Sequence, residues 1–463
     1  MSSKSITKSV IWQLGGKFAL QGIAFFTTPI FTRLLTPADY GYTALYMSWS
    51  SILGLILGLQ TCGAFQNALL KYNKSEQNRY YSSIMTISLL SFVCCLAVAF
   101  LFNKFLSIVL SIRNDLVVLV ICQSFASYVI TFYVEKYNSL KQVEKSTLLS
   151  ILQTVLCIVF SLLFVFIAKD NKAIAKIYGN AMPILAIGSG LIIFIYIKGK
   201  CFWNWTYNKF CLTLTLPLIL HGIGHLVFAQ SDRIMLQKIV GEKILGIYSV
   251  TYTLCSVLTI IYGALNSAWL PFYYDLKKEN KNEEIRFHSK QYIKFFTLIS
   301  IGFILLSYDV FKIMAPSSYN EGLKIIPFFV ASHFFNFLYL FPVNFEFFHE
   351  KTKLIPIGTL CAAGINILAN YLLIPILGII GAALGTLIAH VLLFLFHHVM
   401  ACFFVKKEYE YRNTIFMLPW TIILLIICAF LYFFDLPIVI RWGVAILLGI
   451  YMIFNIFRNR SFF

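Results

Sequence analysis

The sequence predicts an all-α integral membrane protein of about 14 transmembrane helices. They are arranged as two pseudo-symmetric six-helix bundles around a central cavity, with two extra helices at the C-terminus. Three observations lead there. The 463-residue chain is 59 % hydrophobic and 12 % charged, with a mean hydropathy of +0.81, more apolar surface than a soluble core needs. Runs long enough to cross a bilayer, which takes roughly 20 mostly apolar residues, recur from end to end. The basic residues between those runs alternate in density from one side to the other, as the positive-inside rule expects.

In order, the runs cover 10–32, 42–64, 80–102, 114–134, 147–168, 174–197, 210–231, 244–270, 291–314, 323–347, 355–374, 378–402, 415–434 and 437–457. None alternates over about ten residues as a barrel strand would. The first is too long and too polar for a cleaved signal peptide. A cytoplasmic N-terminus puts 24 Lys/Arg and 11 Asp/Glu on the cytoplasmic side, against 12 and 8 on the other. The formal net charge of +18 is therefore mostly a topology signal, and no basic patch of the kind that binds nucleic acid stands out. The two densest charge clusters, KKENKNEEIRFHSK at 277–290 and KKEYEYR at 406–412, are mixed in sign and read as solvated loops or short surface helices. Every loop is short, which leaves no room for a soluble catalytic domain. A G-x-x-x-x-G-K-[ST] phosphate loop does not occur, so the chain is not expected to hydrolyse ATP. The 11 cysteines fall singly, apart from Cys94–Cys95, without C-x-x-C spacing. They read as small apolar packing residues rather than disulfides or metal ligands.

Several runs carry polar stripes that a lipid-surrounded helix should lack. On the first, Lys17, Gln21 and Thr28 fall within about 40° of one line at 100° per residue. On the seventh, His221, His225 and Asp232 repeat the same spacing 204 residues later. DYGYTALYMS at 39–48 echoes ILGIYSVTYT at 244–253. These matches divide the chain into bundles 1–205 and 206–405, with two further helices in 406–463. Other stripes comprise Tyr42, Tyr46, Trp49 and Gln60; Gln123, Ser127, Thr131 and Glu135; Tyr248, Tyr252, Cys255, Thr259, Tyr262 and Asn266; His333, Asn336 and Asn344; and Asn366 with Asn370. Single stripes are explained equally by interhelical hydrogen bonds; their recurrence in both halves points to a shared wet cavity. Tyrosine there offers an apolar ring and a hydroxyl, which suits a sugar.

Charges within spans cost about 2.5–3.5 kcal/mol at the centre. Lys17 lies roughly 10 Å deep at 1.5 Å per residue; it either snorkels back to the interface or faces the wet stripe. His221 and His225 form either a proton-sensitive pair or neutral hydrogen-bonding groups. Asp232–Arg233 at the end of the seventh run reads as a local ion pair. His390 and His397 share a face of the twelfth run and read as packing or interfacial residues. No third ligand of suitable spacing supports zinc.

The stretch TRLLTPADYGYTALY at 32–46, with its R-L-L-x-P-x-x-Y-G pattern from Arg33 to Gly41, resembles the polysaccharide flippases (Wzx-type O-antigen transporters) of the multidrug/oligosaccharidyl-lipid/polysaccharide exporter superfamily. SDRIMLQKIVGEKILGIYSVTYTL, opening the second half, supplies a weaker echo. The resemblance implies a bacterial inner-membrane protein with both termini cytoplasmic, no cofactor, and no enzymatic activity. It implies transport by alternating access of an undecaprenyl-diphosphate-linked oligosaccharide from the cytoplasmic to the periplasmic leaflet, for O-antigen, capsule or exopolysaccharide synthesis. Its partners would be that lipid-linked oligosaccharide, membrane lipids, a polysaccharide polymerase and a chain-length regulator. The expected cavity residues are Lys17, Gln21, Thr28, Arg33, Tyr46, Gln123, His221, His225, Arg233, Tyr252, Thr259, Tyr262, Asn266, His333 and Asn366, with coupling at His221, His225 and Asp232. Three other readings stay open: a cation-coupled multidrug antiporter, a lipid II flippase, and a membrane glycan polymerase or ligase. The N-terminal half has only Glu135 as an acidic residue at a span end, against the antiporter. No loop is long enough for the polymerase.

Overall fold

The computed structural model describes residues 3–404, 409–411, 418–434 and 436–458. Among the described residues the chain is helical, with short turns and no strand. The described parts of all fourteen apolar runs lie mainly on helices; residues 415–417 of the thirteenth lie outside the described residues. Among the described residues, nine helical stretches are long and apolar enough to cross a membrane, and two bent pairs raise the number to eleven. The two C-terminal runs hold shorter apolar segments, Pro419–Leu431 and Ile438–Phe454. The chain is a multi-pass membrane protein with two compact units, Met1–Lys238 and Ile239–Phe463.

The first unit runs α1 (Ser3–Leu34), α2 (Pro37–Gly58), α3 (Phe65–Lys71), α4 (Lys74–Leu101), α5 (Asn103–Leu110), α6 (Asn114–Ser139), α7 (Val143–Ile167), α8 (Lys172–Gly199) and α9 (Trp205–Ile239). The α1–α2 corner is only two residues long. Thr36 caps α2: its Oγ1 accepts from Asp39 N at 3.2 Å, and Asp39 Oδ2 accepts from Thr36 N at 3.1 Å. This reciprocal box satisfies amide groups that a helix start leaves open, and Pro37 at the first helical position has no amide to satisfy. Gly41 therefore lies inside α2, not ahead of it. At the other end Leu59 and Gln60 adopt left-handed φ of 48° and 52°. The helix stops there, and the chain turns by 47° into Thr61–Lys71.

Within this unit α6 packs against α2, α4, α7 and α8, and α7 lies along α8. Close approach of α7 and α8 depends on Gly179, where a Cβ would sit 2.6 Å from the Phe160 carbonyl oxygen. Between helices in lipid, such backbone proximity supplies the van der Waals contact that holds them. Lys176 of α8 reaches back to the corner, its ammonium 4.4 Å and 4.3 Å from the Phe31 and Tyr40 ring centroids.

The second unit runs α10 (Glu242–Cys255), α11 (Val257–Lys278), α12 (Asn282–Met314), α13 (Ile326–Phe348), α14 (Leu354–Leu377), α15 (Ile379–Phe404), α16 (Leu418–Phe433) and α17 (Ile438–Arg458). The eighth apolar run is thus two helices. The break falls at Ser256, whose Oγ donates to Thr253 O at 2.7 Å. Here α13 plays the part of α6, packing on α10, α11, α12, α15 and α16. α14 lies along α15 as α7 does along α8, with Gly381 against the Leu373 backbone. α16 and α17 dock on α12. Arg441 Nη2 donates to Asp309 Oδ1 at 2.8 Å, Trp442 Nε1 to Asp309 Oδ2 at 3.0 Å, and Lys294 Nζ to Tyr451 Oη at 2.8 Å.

Candidate functional site

The polar side chains within the spans divide by exposure. In the first unit one chain of hydrogen bonds crosses three helices. Tyr46 Oη of α2 donates to Gln123 Oε1 of α6 at 2.9 Å, and Gln123 Nε2 donates to Asn180 Oδ1 of α8 at 3.0 Å. Tyr46 and Gln123 are 0 % and 1 % exposed, so both hydroxyl and amide are spent on neighbouring helices. Toward the C-terminal end of α6 the same stripe emerges: Ser127 is half-buried, and Thr131 and Glu135 are exposed.

On α1, Lys17 is exposed and Gln21 partly exposed. Thr28 is buried, and its Oγ1 donates to Ala24 O at 2.8 Å. Arg33 is exposed and donates from Nη1 to Pro29 O at 2.8 Å. On α9, His225 is exposed, Asp232 buried, and Arg233 half-buried with Nη1 donating to Gln230 Oε1 at 2.6 Å. The His221 side chain lies outside the described residues.

In the second unit, α11 and α13 meet through paired polar groups. Asn336 Nδ2 donates to Tyr262 Oη at 2.9 Å, and Asn344 Nδ2 to Asn266 Oδ1 at 2.8 Å. His333 is buried, with Nδ1 3.5 Å from Thr259 Oγ1 and its ring 6.2 Å from that of Tyr252. Tyr252 and Asn266 are half-buried and Thr259 is exposed, whereas Tyr262 is buried. Asn366 is buried on α14 and accepts from Asn370 Nδ2 at 3.2 Å. Of the residues expected to line a cavity, Lys17, Arg33, His225 and Thr259 are therefore exposed, and Gln21, Arg233, Tyr252 and Asn266 half-buried. Thr28, Tyr46, Gln123, Asp232, Tyr262, His333 and Asn366 are buried.

Three pairings were not visible from spacing. Lys277 and Glu410, each within a cluster expected to be solvated, form a buried ion pair at 2.7 Å with side chains 5 % and 0 % exposed. Arg286 Nε adds a bond to Glu410 O at 3.0 Å, and Ser289 Oγ and Tyr411 Oη lie 2.9 Å apart. The described part of the second cluster, residues 409–411, is thus packed against α11 and α12; the rest of 406–412 lies outside the described residues. Burial pushes the Tyr409 and Tyr411 phenols well above their usual range, and the Glu410 charge acts the same way. Glu346 and His397 form a second buried pair, so His397 is not a simple packing residue. The third is Asp309–Arg441 at 2.8 Å. Glu346 is an acidic residue in an apolar run, and that was the available signal. Among the described residues, no group of three His, Cys, Asp or Glu could hold a metal ion.

Two units of repeated helix packing, with polar groups bonded across apolar helices, define a fold shared with the exporters of the MOP superfamily. The lipid II flippase MurJ in an inward closed conformation superposes with a TM-score of 0.73 at 15 % identity, over 97 % of this chain and 99 % of that one. An inward-facing multidrug resistance MATE family transporter of the MOP superfamily gives 0.64 at 13 %, over 86 % and 99 %. The sequence pattern of the polysaccharide biosynthesis protein family matches residues 6–277, more than half of the chain, and the chain belongs to that family. Two relatives from Haemophilus influenzae align over most of their length. "Lsg locus putative protein 1" is 26 % identical over 383 residues, covering 76 % of this chain and 87 % of the relative. An uncharacterized membrane protein is 22 % identical over 404 residues, covering 82 % and 94 %.

Proposed function

We propose that this protein is a flippase, not an enzyme. In this reading it carries an undecaprenyl-diphosphate-linked oligosaccharide from the cytoplasmic to the periplasmic leaflet of a bacterial inner membrane by alternating access. The observation that carries the reading is the family match combined with what the exposed span residues offer. Lys17, Arg33 and Arg233 are cations suited to a diphosphate, and Gln21, Tyr252, Thr259 and Asn266 are amide and hydroxyl groups suited to sugars. A glycan head drawn through hydrocarbon without such partners loses its hydrogen bonds to water, a cost of several kcal/mol for each polar group. The lipid tail needs no such help and stays in the bilayer.

The experiment is deletion of the gene with leaflet-resolved detection of the lipid-linked oligosaccharide. The deletion is expected to abolish surface glycan while the precursor accumulates on the cytoplasmic face. Complementation by Lys17→Ala, with protein present at normal level, should restore little display. Normal glycan display in the deletion strain, accompanied by new drug sensitivity, would favour the antiporter reading instead.

A further inference from the structure

The stretch KGKCFWNWTYNK at 198–209 joins α8 to α9, and none of the expected cavity residues lies in it. It holds three lysines, two tryptophans and no acidic residue. It falls between the apolar runs 174–197 and 210–231, which places it at the edge of the hydrocarbon rather than within it. Trp203 and Trp205 are 51 % and 61 % exposed, their ring planes 20° apart and their centroids 6.5 Å apart. Phe202 is exposed as well and stacks on Tyr196 at 4.9 Å. Large rings left open beside a loop are costly in water. At a membrane interface the same rings sit at headgroup level, with the indole N–H wet and the ring covered.

Hydrogen bonds pin the stretch against α4. Asn204 N donates to Ser83 Oγ at 2.7 Å, Ser83 Oγ donates to Asn208 Oδ1 at 2.9 Å, and Tyr207 N donates to Asn204 Oδ1 at 3.2 Å. Thr86 Oγ1 and Tyr196 Oη lie 2.9 Å apart. Gly199 fits against Ser82, where a Cβ would collide with the serine hydroxyl. The indoles are thus held outward before anything binds, which lowers the ordering cost of binding.

Cations gather at the same place. Lys136 in the last turn of α6 and Lys198 in the last turn of α8 are close enough for the Lys198 charge to act on Lys136. Lys136 is half-buried, its ammonium 4.4 Å and 5.4 Å from the Tyr81 and Tyr133 ring centroids. Lys198 and Lys200 are exposed. Aromatic faces attract an ammonium but carry no net charge to balance two of them. The α6 and α8 ends supply about half a negative charge each, which leaves the place positive and does not account for the exposed indoles. Glu135, next to Lys136 in sequence, acts on Cys62 instead, and Glu76 accepts from Asn73 N at 3.3 Å. Each ammonium has three N–H donors. A phosphodiester offers one negative charge and oxygens that accept from both.

We propose that residues 198–205 together with Lys136 form a docking site for an anionic glycerophospholipid of the surrounding leaflet. Its phosphate lies between Lys136 and Lys198, and the Trp203 and Trp205 rings lie among the neighbouring headgroups. The test is tryptophan quenching of the full chain in phosphatidylcholine liposomes that contain phosphatidylglycerol, with one lipid or the other brominated on its acyl chains. The wild type should prefer phosphatidylglycerol about thirtyfold, which is about 2 kcal/mol at about 1.4 kcal/mol per tenfold, or about 1 for each lysine. Lys136→Gln/Lys198→Gln should bring the preference close to parity, and Lys136→Arg/Lys198→Arg should keep it. Trp203→Phe/Trp205→Phe should remove the selective part of the quenching. Where Lys136→Gln does not fold, Lys198→Gln/Lys200→Gln, at two exposed positions, should lower the preference in the same way. An ordinary aromatic belt is quenched alike by both lipids, and that result in the wild type overturns the proposal. A preference that survives either the glutamine or the phenylalanine variant overturns it too, since the lipid is then bound elsewhere. Displacement of the brominated lipid by undecaprenyl phosphate, where unlabelled phosphatidylglycerol at the same fraction has no effect, would assign the patch to cargo and also overturn it. None of the other outcomes touches the flippase reading, because those liposomes hold no cargo.

Discussion

Replacing Glu410 with glutamine isolates the cost of a buried charge. The Lys277 ammonium has its side chain 5 % exposed, 2.7 Å from Glu410 Oε2, with Asn282 Oδ1 at 3.4 Å and the Phe345 ring centroid at 5.1 Å. Removing one member of a buried pair costs about 3–5 kcal/mol, because the other charge is left in a poor solvent. The Phe345 contact is already present in the wild type, so it offsets none of this and the net loss stays at about 3–5 kcal/mol. For a unit of this size each kcal/mol moves the midpoint by about 2–4 °C, so Tm should drop by about 6–20 °C. Fluorescence-detected thermal unfolding in detergent reads this directly. The double variant Lys277→Met/Glu410→Leu should recover the wild-type midpoint or exceed it, since two well-packed apolar groups replace an ion pair at little cost. A double variant as unstable as Glu410→Gln alone would refute the reasoning, as would a single variant within 1 °C of wild type.

Gly179→Val should destabilise the fold more than a typical core change, by about 3 kcal/mol or more, because the new Cβ meets the Phe160 backbone rather than a movable side chain; a wild-type Tm would show that α7 and α8 can part freely. Tyr46→Phe should cost about 1 kcal/mol for the lost bond to Gln123, and combination with Gln123→Leu should cost less than the sum of the two, as a double-mutant cycle on Tm would show. Reporter fusions at the turns between α6 and α7, within 136–146, and between α11 and α12, within 277–290, should both report the cytoplasm. A periplasmic signal at either would reverse the orientation drawn from the basic residues.

The all-helical membrane fold was legible because apolar run length is a one-dimensional signal, and the described parts of the runs lie mainly on helices. Helix ends were less so. Thr36 and Asp39 fit a capping box three residues apart, yet the apolar runs end at 32 and resume at 42, which suggested a longer turn. The break at Ser256 left no trace, because the stripe from Tyr248 to Asn266 keeps helical spacing across it. Stripes also say which residues share a face, not what that face meets. Tyr46 and Tyr252 looked equivalent, yet one is buried against Gln123 and the other is half-exposed. Partners far apart in sequence were hardest of all. Lys277 and Glu410 each sat among charges of both signs, the usual look of a solvated loop, and only their meeting across 133 residues buries them.

The central claim is that this chain moves a lipid-linked oligosaccharide between leaflets. Its most direct test is purified protein in proteoliposomes carrying undecaprenyl-diphosphate-linked oligosaccharide in one leaflet, with glycan exposure on the other side followed by an impermeant glycosidase or lectin. The account predicts time-dependent exposure that requires the protein and slows in Lys17→Ala. Exposure no faster than in protein-free vesicles, under an imposed proton gradient of either direction, would contradict it.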